Sequence, residues 1–513
     1  MSKKRPSKDY AYEALLRFNY FPMVKNRRDE LPPVFSTRAF KPDVADELIK
    51  KMQSQKRKEG FDQIVYRSNR FNNVIRTMHI PHPLPYARMC QTLRDNWKKL
   101  KFVCKNKTSK IKPERHNDGK LVAMGEYDLG RLIVMDNAGF PDSLEKYLKL
   151  STGAFFVTSA DISNCFPSIY THSIPWALVG HAVAKKDHDA RKWFNAIDAK
   201  QRYMKRGETQ GIPIGPATSN VVAEIILARV DKRLRKLGYK FIRAIDDYQC
   251  YTATRDEGVC FIRDLELELD RYLLKLNTKK TTCHQLPLPE RAEWINEFCA
   301  LAGDVRRLTG NKMFRLLDLA VDFQTRWPAD NVLKYAATYL MNRVNAYNAN
   351  TFVEYLLQLA FHNASVLPLI AEVLDEYEIE LDDDVLERLL DFHLKYRRSD
   401  VVCWLLLIMH LNGAKASKSA ATEIIKQGDC LPMVLMATAK NHRKKIDKFL
   451  LNVDETQNYE MDQYWLLIYN RARENPRVKA RFKKYLGETG LKFLESKGVR
   501  FTRTKPLIYM GAS

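Results

Sequence analysis

The sequence has no apolar run long enough to form a membrane-spanning helix. Its longest apolar stretch extends only from Val401 to Leu411, whereas a helix needs about 20 apolar residues to cross a bilayer. The first residues, MSKKRPSKDYAYE, also lack the apolar segment of a secretory signal. These absences argue against a membrane protein, so we expect a cytoplasmic protein without a membrane partner.

Cysteine, glycine and proline are all sparse. Nine cysteines lie singly between Cys90 and Cys430, with neither a C-x-x-C motif nor the Cys/His spacing of a zinc site. Neither a disulfide framework nor a zinc site is therefore indicated. The chain has 20 glycines and 21 prolines among 513 residues, so nothing indicates a long low-complexity region. The length predicts two or three globular domains of roughly 150 residues each.

Basic residues, by contrast, are in excess, and the formal net charge is +24. Such a positive field attracts polyanions, because binding releases the counterions condensed on phosphates. We therefore expect nucleic acid or nucleotide as a partner, although a basic surface that only keeps a protein soluble would give the same charge. A local cluster of lysines forms either a solvated helix face or a phosphate-contacting surface. Its lysines are Lys98, Lys99, Lys101, Lys105, Lys107, Lys110 and Lys112.

Three aspartates stand where predicted strands end. Residues 154–163, AFFVTSADIS, predict a buried strand whose polar end carries Asp161. Residues 240–253, KFIRAIDDYQCYTA, predict a hairpin with Asp246 and Asp247 at its tip. Converging carboxylates would bind the two hard cations that assist phosphoryl transfer. An Asp-Asp pair alone decides little, because such pairs are common in ordinary turns.

A helix and then an all-helical second half are predicted downstream. After the loop QGIPIGPATSN, apolar residues at helical spacing predict a helix from 221 to Gly238. Beyond about residue 300 strand signals disappear, and we expect stacked, HEAT-like helices. The fold class predicted is α+β, with a first domain of residues 1–300 and an all-α HEAT-like domain of residues 301–513. The helices predicted there occupy 332–346, 351–361, 365–378, 384–396, a helix capped by Ser399 that ends at Asn412 and Gly413, and 419–451.

Four motifs together resemble the reverse transcriptases, in that family's order and spacing. They are DISNCFPSIY (161–170), QGIPIGPATSN (210–220), FIRAIDDY (241–248) and LNTKKT (276–281). The resemblance implies a fingers and palm fold over residues 1–300. It also implies a DNA polymerase, a nucleotidyltransferase that uses dNTPs and two Mg²⁺ ions, with Mn²⁺ able to replace them.

The resemblance also implies roles for single residues. It assigns catalysis and metal binding to Asp161, Asp246 and Asp247, with the Ile162 carbonyl as a further metal ligand. Contact with the dNTP is implied for Phe166 as a steric gate against the ribose 2′-hydroxyl, and for Gln210, Gly211 and Lys280. A core aromatic is the alternative for Phe166, and the adjacent Lys279 leaves the lysine assignment open. Basic residues that could contact the triphosphate are Lys105, Lys107, Lys110, Arg115 and Arg131.

The flanking segments are more particular than the polymerase motifs. FPSIYTHSIPWAL, RTMHIPHPLPY, NYFP and ELPPVFS resemble the abortive-infection (Abi) reverse transcriptases of bacteria, especially the branch borne on P2-type prophages. That resemblance implies anti-phage defence, template-independent DNA synthesis primed by a hydroxyl of the protein itself, DNA covalently attached to the protein, and a homo-oligomer. Ala244 replaces the tyrosine of the usual Tyr-x-Asp-Asp motif and so removes a ring that touches the primer-template duplex, although local packing would explain it equally well.

The priming hydroxyl is not identified by the sequence. Tyr10, Tyr12 and Tyr20 are weak candidates among 24 tyrosines.

Two other functions also fit the motifs. One is a templated RNA-directed DNA polymerase working with a cognate non-coding RNA, as in retrons. The other is a non-catalytic nucleic-acid-binding scaffold, against which the three retained aspartates argue.

Overall fold

The computed structural model describes residues 7–21, 33–55, 57–69, 74–106, 147–289, 292–303 and 308–503. The predicted phosphate contacts Lys107, Lys110, Arg115 and Arg131 lie outside the described residues. The N-terminal part consists of helices and one antiparallel hairpin, β1–β2, that pairs Gln63 with Pro81 and Asn69 with Ile75. Its elements are α1 (Lys8–Glu13, prolonged by a π-helical turn, Ala14–Phe18), α2 (Pro42–Lys51), β1 (Gln63–Asn69), β2 (Ile75–Pro81), α3 (Pro83–Asp95), α4 (Trp97–Leu100) and a 3-10 turn (Val103–Lys105).

A four-stranded antiparallel sheet forms the middle of the chain, with the strand order β4-β5-β3-β6. The strands are β3 (Phe156–Asp161), β4 (Lys240–Ala244), β5 (Asp247–Thr252) and β6 (Thr282–Gln285). The predicted strand and the predicted hairpin are therefore both confirmed. The helices between and after these strands are α5 (Cys165–Ser168), α6 (Ser173–Val179), α7 (His181–Lys186), α8 (Trp193–Tyr203), α9 (Ala217–Lys236) and α10 (Arg255–Asp270), followed by a 3-10 turn (Thr278–Lys280).

Two long helices support this sheet. Helix α9 confirms the helix predicted after the QGIPIGPATSN loop, although it begins at Ala217, earlier than expected. Helix α10 begins with a capping box, in which Thr254 accepts a hydrogen bond from the backbone N–H of Glu257 and the Glu257 side chain accepts one from the backbone N–H of Thr254. It packs against β3, β5 and α9. Apolar residues such as Phe261 and Leu265 are fully buried there, so the sheet is held on one face by a continuous apolar layer.

The C-terminal part is helical, and within residues 308–503 strand pairing is limited to a single bridge between Thr502 and Phe35. The predicted piece 419–451 is wrong as one unit, because Gly428 and His442 adopt left-handed backbone conformations and divide it into three helices. The helices are α11 (Glu293–Ala302), α12 (Gly310–Arg326), α13 (Val332–Met341), α14 (Ala349–Ala360), α15 (Leu367–Glu376), α16 (Asp383–Leu394), α17 (Ser399–Leu411), α18 (Lys418–Gln427), α19 (Cys430–Thr438), α20 (Arg443–Leu451), α21 (Asn458–Gln463), α22 (Trp465–Ala472), α23 (Pro476–Arg481), α24 (Lys483–Glu488) and α25 (Leu491–Ser496).

The C-terminal helices pack directly on the N-terminal hairpin. Strand β1 contacts α17, α19 and α21, and α2 contacts α25. Ser399 was expected to cap α17, but Arg398 holds that position and the Ser399 hydroxyl instead accepts a hydrogen bond from the Arg67 amide at 3.1 Å. The buried residues of both parts form one hydrophobic core. The HEAT-like repeat and the domain boundary near residue 300 stay predictions.

None of the described helices combines the length and the apolarity that crossing a membrane requires.

Candidate active site

Strand pairing brings the three predicted aspartates together. Asp161 is the last residue of β3 and lies directly opposite Asp247, the first residue of β5. The Ile162 amide donates a hydrogen bond to the Asp246 carbonyl at 3.2 Å. Asp161 and Asp247, which are 86 positions apart in the sequence, thus become neighbours at one edge of the sheet, because antiparallel pairing aligns the end of one strand with the start of the other.

The carboxylates interact electrostatically. Burial, together with the negative charges of Asp247 and Asp161, raises the pKa of Asp246 to about 6, and the positive charge of Arg76 on β2 opposes the rise. Asp247 itself is exposed. Close like charges disfavour simultaneous ionisation unless a cation compensates them. The site therefore has the character of an anionic cluster that a bound cation would stabilise.

Asp161 is held by residues of the segment that leads into β6. Its Oδ2 atom lies 2.8 Å from the Lys280 ammonium and accepts a hydrogen bond from the Asn277 side-chain amide at 3.2 Å. The Asn277 backbone amide also donates to the Asp161 carbonyl, at 2.7 Å. Hydrogen bonding to Asp161 raises the pKa of Lys280. Of the two adjacent lysines in LNTKKT, Lys280 is thus the one whose ammonium contacts the Asp161 carboxylate.

The residues present suit a hard divalent cation in their chemistry. Carboxylate oxygens are preferred ligands of Mg²⁺, and the mutual repulsion of Asp161, Asp246 and Asp247 is what such an ion would relieve. Within the described residues, however, no group of three or more His, Cys, Asp or Glu side chains is arranged closely enough to hold a metal ion. Asp161 is instead paired with Lys280. Binding would thus require this ammonium to move away from Asp161.

The predicted nucleotide loop is fastened to the segment that follows Asp161. The Gly211 amide donates to the Ile169 carbonyl at 2.9 Å, and the Ile212 amide donates to the Phe166 carbonyl at 2.9 Å. Gly211 has φ +78°, and a Cβ atom there would lie 2.8 Å from the Pro167 carbonyl oxygen. Glycine is therefore required here both by conformation and by space.

Gln210 and Phe166 are both tied to this arrangement. The Gln210 side-chain amide donates to the carbonyls of Pro167 and Ser168, each at 3.3 Å. The Gln210 carbonyl accepts a hydrogen bond from the Lys205 ammonium at 2.7 Å. The Phe166 side chain is buried, with 7% exposure. Both predicted dNTP contacts thus belong to one compact unit beside Asp161, and their roles toward a nucleotide stay predictions.

The tyrosines considered for priming are buried in the N-terminal part. The Tyr12 hydroxyl donates to the Asp46 carboxylate at 2.9 Å, and the Tyr20 hydroxyl donates to the Pro81 carbonyl at 2.6 Å. Burial raises the pKa of both phenols well above the usual value. Tyr10 is 7% exposed. Any of the three would have to leave its packed position to act as a primer, so these assignments stay predictions.

Four residues of this region were missed by the sequence analysis. They are Arg76, whose charge acts on Asp246, Asn277 beside Asp161, Lys205, which donates to the Gln210 carbonyl, and Arg243, one strand position before Ala244. Asn277 and Arg243 lie inside motifs that had been recognised. Arg76 lies in the RTMHIPHPLPY flank, and Lys205 precedes the QGIPIGPATSN loop, so residue type gave no separate signal for either.

One family model matches the region of the chain that contains this candidate site. The family described as reverse transcriptase (RNA-dependent DNA polymerase) matches residues 85–319, a span that contains all four motifs. No curated protein matches the sequence.

Several solved telomerase structures show a distant likeness. The apo telomerase from Candida tropicalis truncated from its C-terminal domain is 13% identical, with a TM-score of 0.31, over 50% of this chain and 57% of that chain. The apo telomerase from Candida tropicalis is 10% identical, with a TM-score of 0.34, over 86% and 77%. The telomerase from Candida albicans in complex with a TWJ fragment of telomeric RNA is 10% identical, with a TM-score of 0.30, over 82% and 70%.

The chain thus spans little more than half of the truncated telomerase. Scores at this level establish neither a shared activity nor shared partners. The family match is more specific, because it covers the paired aspartates and the loop fastened beside them. The chain contains a reverse transcriptase domain and is a reverse-transcriptase-type nucleotidyltransferase, a DNA polymerase.

Proposed function

We propose that this polymerase makes DNA without a template, extends a hydroxyl of its own chain, and acts in abortive infection against phages. The observation that carries the proposal is Ala244, which pairs with Asp247. These two residues flank the turn Ile245–Asp246 between β4 and β5, which we call the catalytic turn. The usual motif has a tyrosine ring at this position that contacts the primer-template duplex. A methyl group leaves that duplex contact unmade, which untemplated synthesis tolerates. The Abi-like flanks of the motifs support the same assignment.

In this proposal Asp161, Asp246 and Asp247 hold two Mg²⁺ ions, with the Ile162 carbonyl as an additional ligand and Mn²⁺ able to replace Mg²⁺. When bound, the ions supply Lewis-acid stabilisation of the attacking and leaving oxygens. The Ile162 amide donates a hydrogen bond to the Asp246 carbonyl, so Ile162 lies beside the carboxylates that it would assist. With both ions held there, the negative charges of Asp161, Asp246 and Asp247 would be compensated when the dNTP binds.

The remaining residues of the site orient the dNTP. The Lys280 ammonium, released from Asp161, donates a hydrogen bond to the leaving pyrophosphate. The Gln210–Gly211 backbone lies against the nucleotide, which can approach because Gly211 has no side chain. The Phe166 ring excludes a ribose 2′-hydroxyl, so ribonucleotides are poor substrates.

A denaturing gel tests protein priming. The purified protein is incubated with labelled dNTPs and Mg²⁺ in the absence of nucleic acid, and we expect labelled DNA that migrates with the polypeptide after denaturation. Asp247→Asn should abolish the label, because it removes a ligand charge from an exposed side chain. Asp256→Asn, a substitution of another exposed aspartate, should leave the label unchanged. Product that separates from the polypeptide would contradict protein priming.

A templated reaction with a cognate non-coding RNA is the second candidate, and the net charge of +24 favours it because a basic protein retains RNA during purification. Sequencing of the product separates the two functions. Complementarity to a co-purified RNA would support the templated reaction and contradict the first proposal. Synthesis that persists after nuclease treatment, with a sequence unrelated to any bound RNA, supports untemplated synthesis.

The defence role is tested in bacteria that carry the gene. We expect phage plating to fall in cells with the wild-type protein and to recover in cells with Asp247→Asn. If cells with Asp247→Asn resisted phage as well as cells with the wild-type protein, the result would instead indicate a non-catalytic scaffold. Peptide mass mapping of the DNA-linked protein identifies the priming residue, and light scattering tests the homo-oligomer.

A further inference from the structure

The side chain of Arg243, on strand β4, is fully buried immediately before the catalytic turn. Its guanidinium donates to both Glu224 oxygens, at 2.8 and 2.9 Å, and to both Asp231 oxygens, at 3.1 and 2.9 Å. Both acidic residues lie on helix α9. A third contact reaches the turn itself, where Nη1 donates to the Ile245 carbonyl at 2.6 Å. One buried side chain therefore joins helix α9 to the turn that carries Asp246.

The turn needs such a restraint. Ile245 has φ +57°, a left-handed conformation that β-branched residues rarely adopt. Such a conformation persists only when its surroundings fix it. The Ile245 carbonyl and the Asp246 amide belong to one planar peptide group, so the bond from Arg243 fixes the plane from which the Asp246 side chain projects. On its other side, Asp246 accepts the hydrogen bond from the Ile162 amide.

The network around Arg243 extends beyond its own contacts. Asp231 also accepts hydrogen bonds from the Tyr248 hydroxyl at 3.0 Å and from the Asn106 side-chain amide at 2.6 Å. The planar fork of arginine has five donors, enough to contact both oxygens of two carboxylates and a carbonyl at once, whereas a lysine ammonium has only three. The opposite charges compensate one another inside the core, where an isolated charge would be unfavourable.

We propose that Arg243 is a positioning residue for the polymerase reaction: it sets the catalytic turn relative to helix α9, which begins directly after the predicted nucleotide loop. The proposal rests on the assignment of Asp246 and Asp247 as metal ligands. Arg243 touches neither substrate nor metal. It acts through the peptide group between Ile245 and Asp246, so its loss affects the geometry of metal binding and the rate of catalysis more than the binding of the nucleotide base.

The central variant is Arg243→Lys, which keeps the positive charge and loses the fork. Its matched control is Arg471→Lys, since Arg471 is another buried arginine that contacts both oxygens of an aspartate, Asp447, at 2.8 and 3.0 Å, but within the C-terminal helices. Thermal unfolding followed by circular dichroism should show a loss of stability in both variants. Only Arg243→Lys should lower kcat, by about tenfold or more, with KM for dNTP within about twofold of the wild type.

Metal binding gives a readout that does not depend on turnover. Mn²⁺ titration followed by electron paramagnetic resonance should show several-fold weaker binding in Arg243→Lys and unchanged binding in Arg471→Lys. Unchanged kcat and Mn²⁺ affinity in folded Arg243→Lys would overturn the proposal. So would equal losses in the two variants, because these would indicate a general effect of instability.

Two further variants complete the test. If Arg243→Lys does not fold, Arg243→Met combined with Glu224→Gln and Asp231→Asn removes the charges together, and the same loss of kcat and Mn²⁺ affinity is expected. Retention of both by this triple variant would overturn the proposal. Asp247→Asn separates the assignments: an inactive Asp247→Asn beside a fully active Arg243→Lys contradicts the positioning role alone, whereas a fully active Asp247→Asn contradicts the assignment of the carboxylates.

Discussion

The Arg57 guanidinium donates to both carboxylate oxygens of Asp462, at 3.0 and 2.7 Å, although the two residues are 405 positions apart. Asp462 is fully buried and also accepts hydrogen bonds from the Asp62 amide at 2.8 Å and the Tyr485 hydroxyl at 2.9 Å. The segment that enters β1 is thereby fixed to helix α21. Because β1 pairs with the strand that carries Arg76, the C-terminal helices support a side chain whose charge lowers the pKa of Asp246.

Removal of the Asp462 carboxylate should destabilise the protein strongly. In Asp462→Ala the Arg57 guanidinium, the Tyr485 hydroxyl and the Asp62 amide lose their acceptor together, and breaking a buried ion pair in this way costs about 3–5 kcal/mol. We expect a lower urea midpoint of unfolding. The control is Asp322→Ala, which removes an exposed partner of Arg326 and should cost less than about 1 kcal/mol. Equal midpoints for the two variants would show that the contact does not brace the hairpin.

The contact between β1 and the C-terminal helices should have a stability that depends on pH, because of Asp400. This carboxylate accepts hydrogen bonds from the Asn69 amide at 2.6 Å and the Ser68 hydroxyl at 3.1 Å. Burial nevertheless raises the pKa of Asp400 to about 6, from an ordinary value of 3.8. The Asp400 carboxyl group therefore binds a proton more tightly in the folded protein than in the unfolded chain. Its contribution to stability is therefore fully present below about pH 4 and is lost as the pH rises through about 6.

Asp400→Asn cannot titrate and should flatten this dependence. Between pH 4.5 and 7, the urea midpoint of the wild type should fall relative to that of Asp400→Asn, by an amount equivalent to at most about 3 kcal/mol for a difference of about two pKa units. Other buried carboxylates titrate equally in both proteins, so the difference isolates Asp400. Parallel pH profiles would mean that Asp400 stays ionised in the folded protein throughout.

Gly211 should be irreplaceable for steric as well as conformational reasons. In Gly211→Ala the new Cβ would lie 2.8 Å from the Pro167 carbonyl oxygen, a backbone atom. Gly207 provides a matched control, because it has a similar φ of +72° but its nearest atom to an added Cβ lies 3.8 Å away. Both alanines carry the conformational penalty, roughly 1 kcal/mol. Only Gly211→Ala should also raise KM for dNTP severalfold in steady-state kinetics; equal KM values would exclude a nucleotide role for the loop.

Local patterns were enough to predict the elements that carry the carboxylates. The apolar, β-branched run before Asp161 and the hairpin around Asp246 and Asp247 depend on residues close in sequence, and both were confirmed. The break at Gly428 was also readable, since glycine commonly ends a helix in the left-handed conformation. Treating 419–451 as one piece missed that signal.

Contacts between distant segments could not be predicted in this way. The partners of Arg243 lie on a different element, and Asp400 contacts Ser68 from 332 positions away. Helical periodicity identifies an apolar face but not the surface that it covers. The sequence left the burial of Tyr12 and Tyr20 open for a related reason, because a tyrosine is compatible with either a core or a surface position.

The choice between Lys279 and Lys280 was open in the sequence, and the structure gives it a physical basis. The turn Thr278–Lys280 directs the Lys280 ammonium to within 2.8 Å of the Asp161 carboxylate. If the Lys280 ammonium moves from Asp161 to the leaving pyrophosphate, Lys280→Ala should lower kcat by about 100-fold. This value is within the usual range of about 100- to 10,000-fold for a lost proton donor. Lys279→Ala removes the same charge from the neighbouring exposed position and should change kcat by less than about twofold. Single-turnover kinetics distinguish the chemical step from product release, and similar losses in both variants would indicate that only the local positive charge matters.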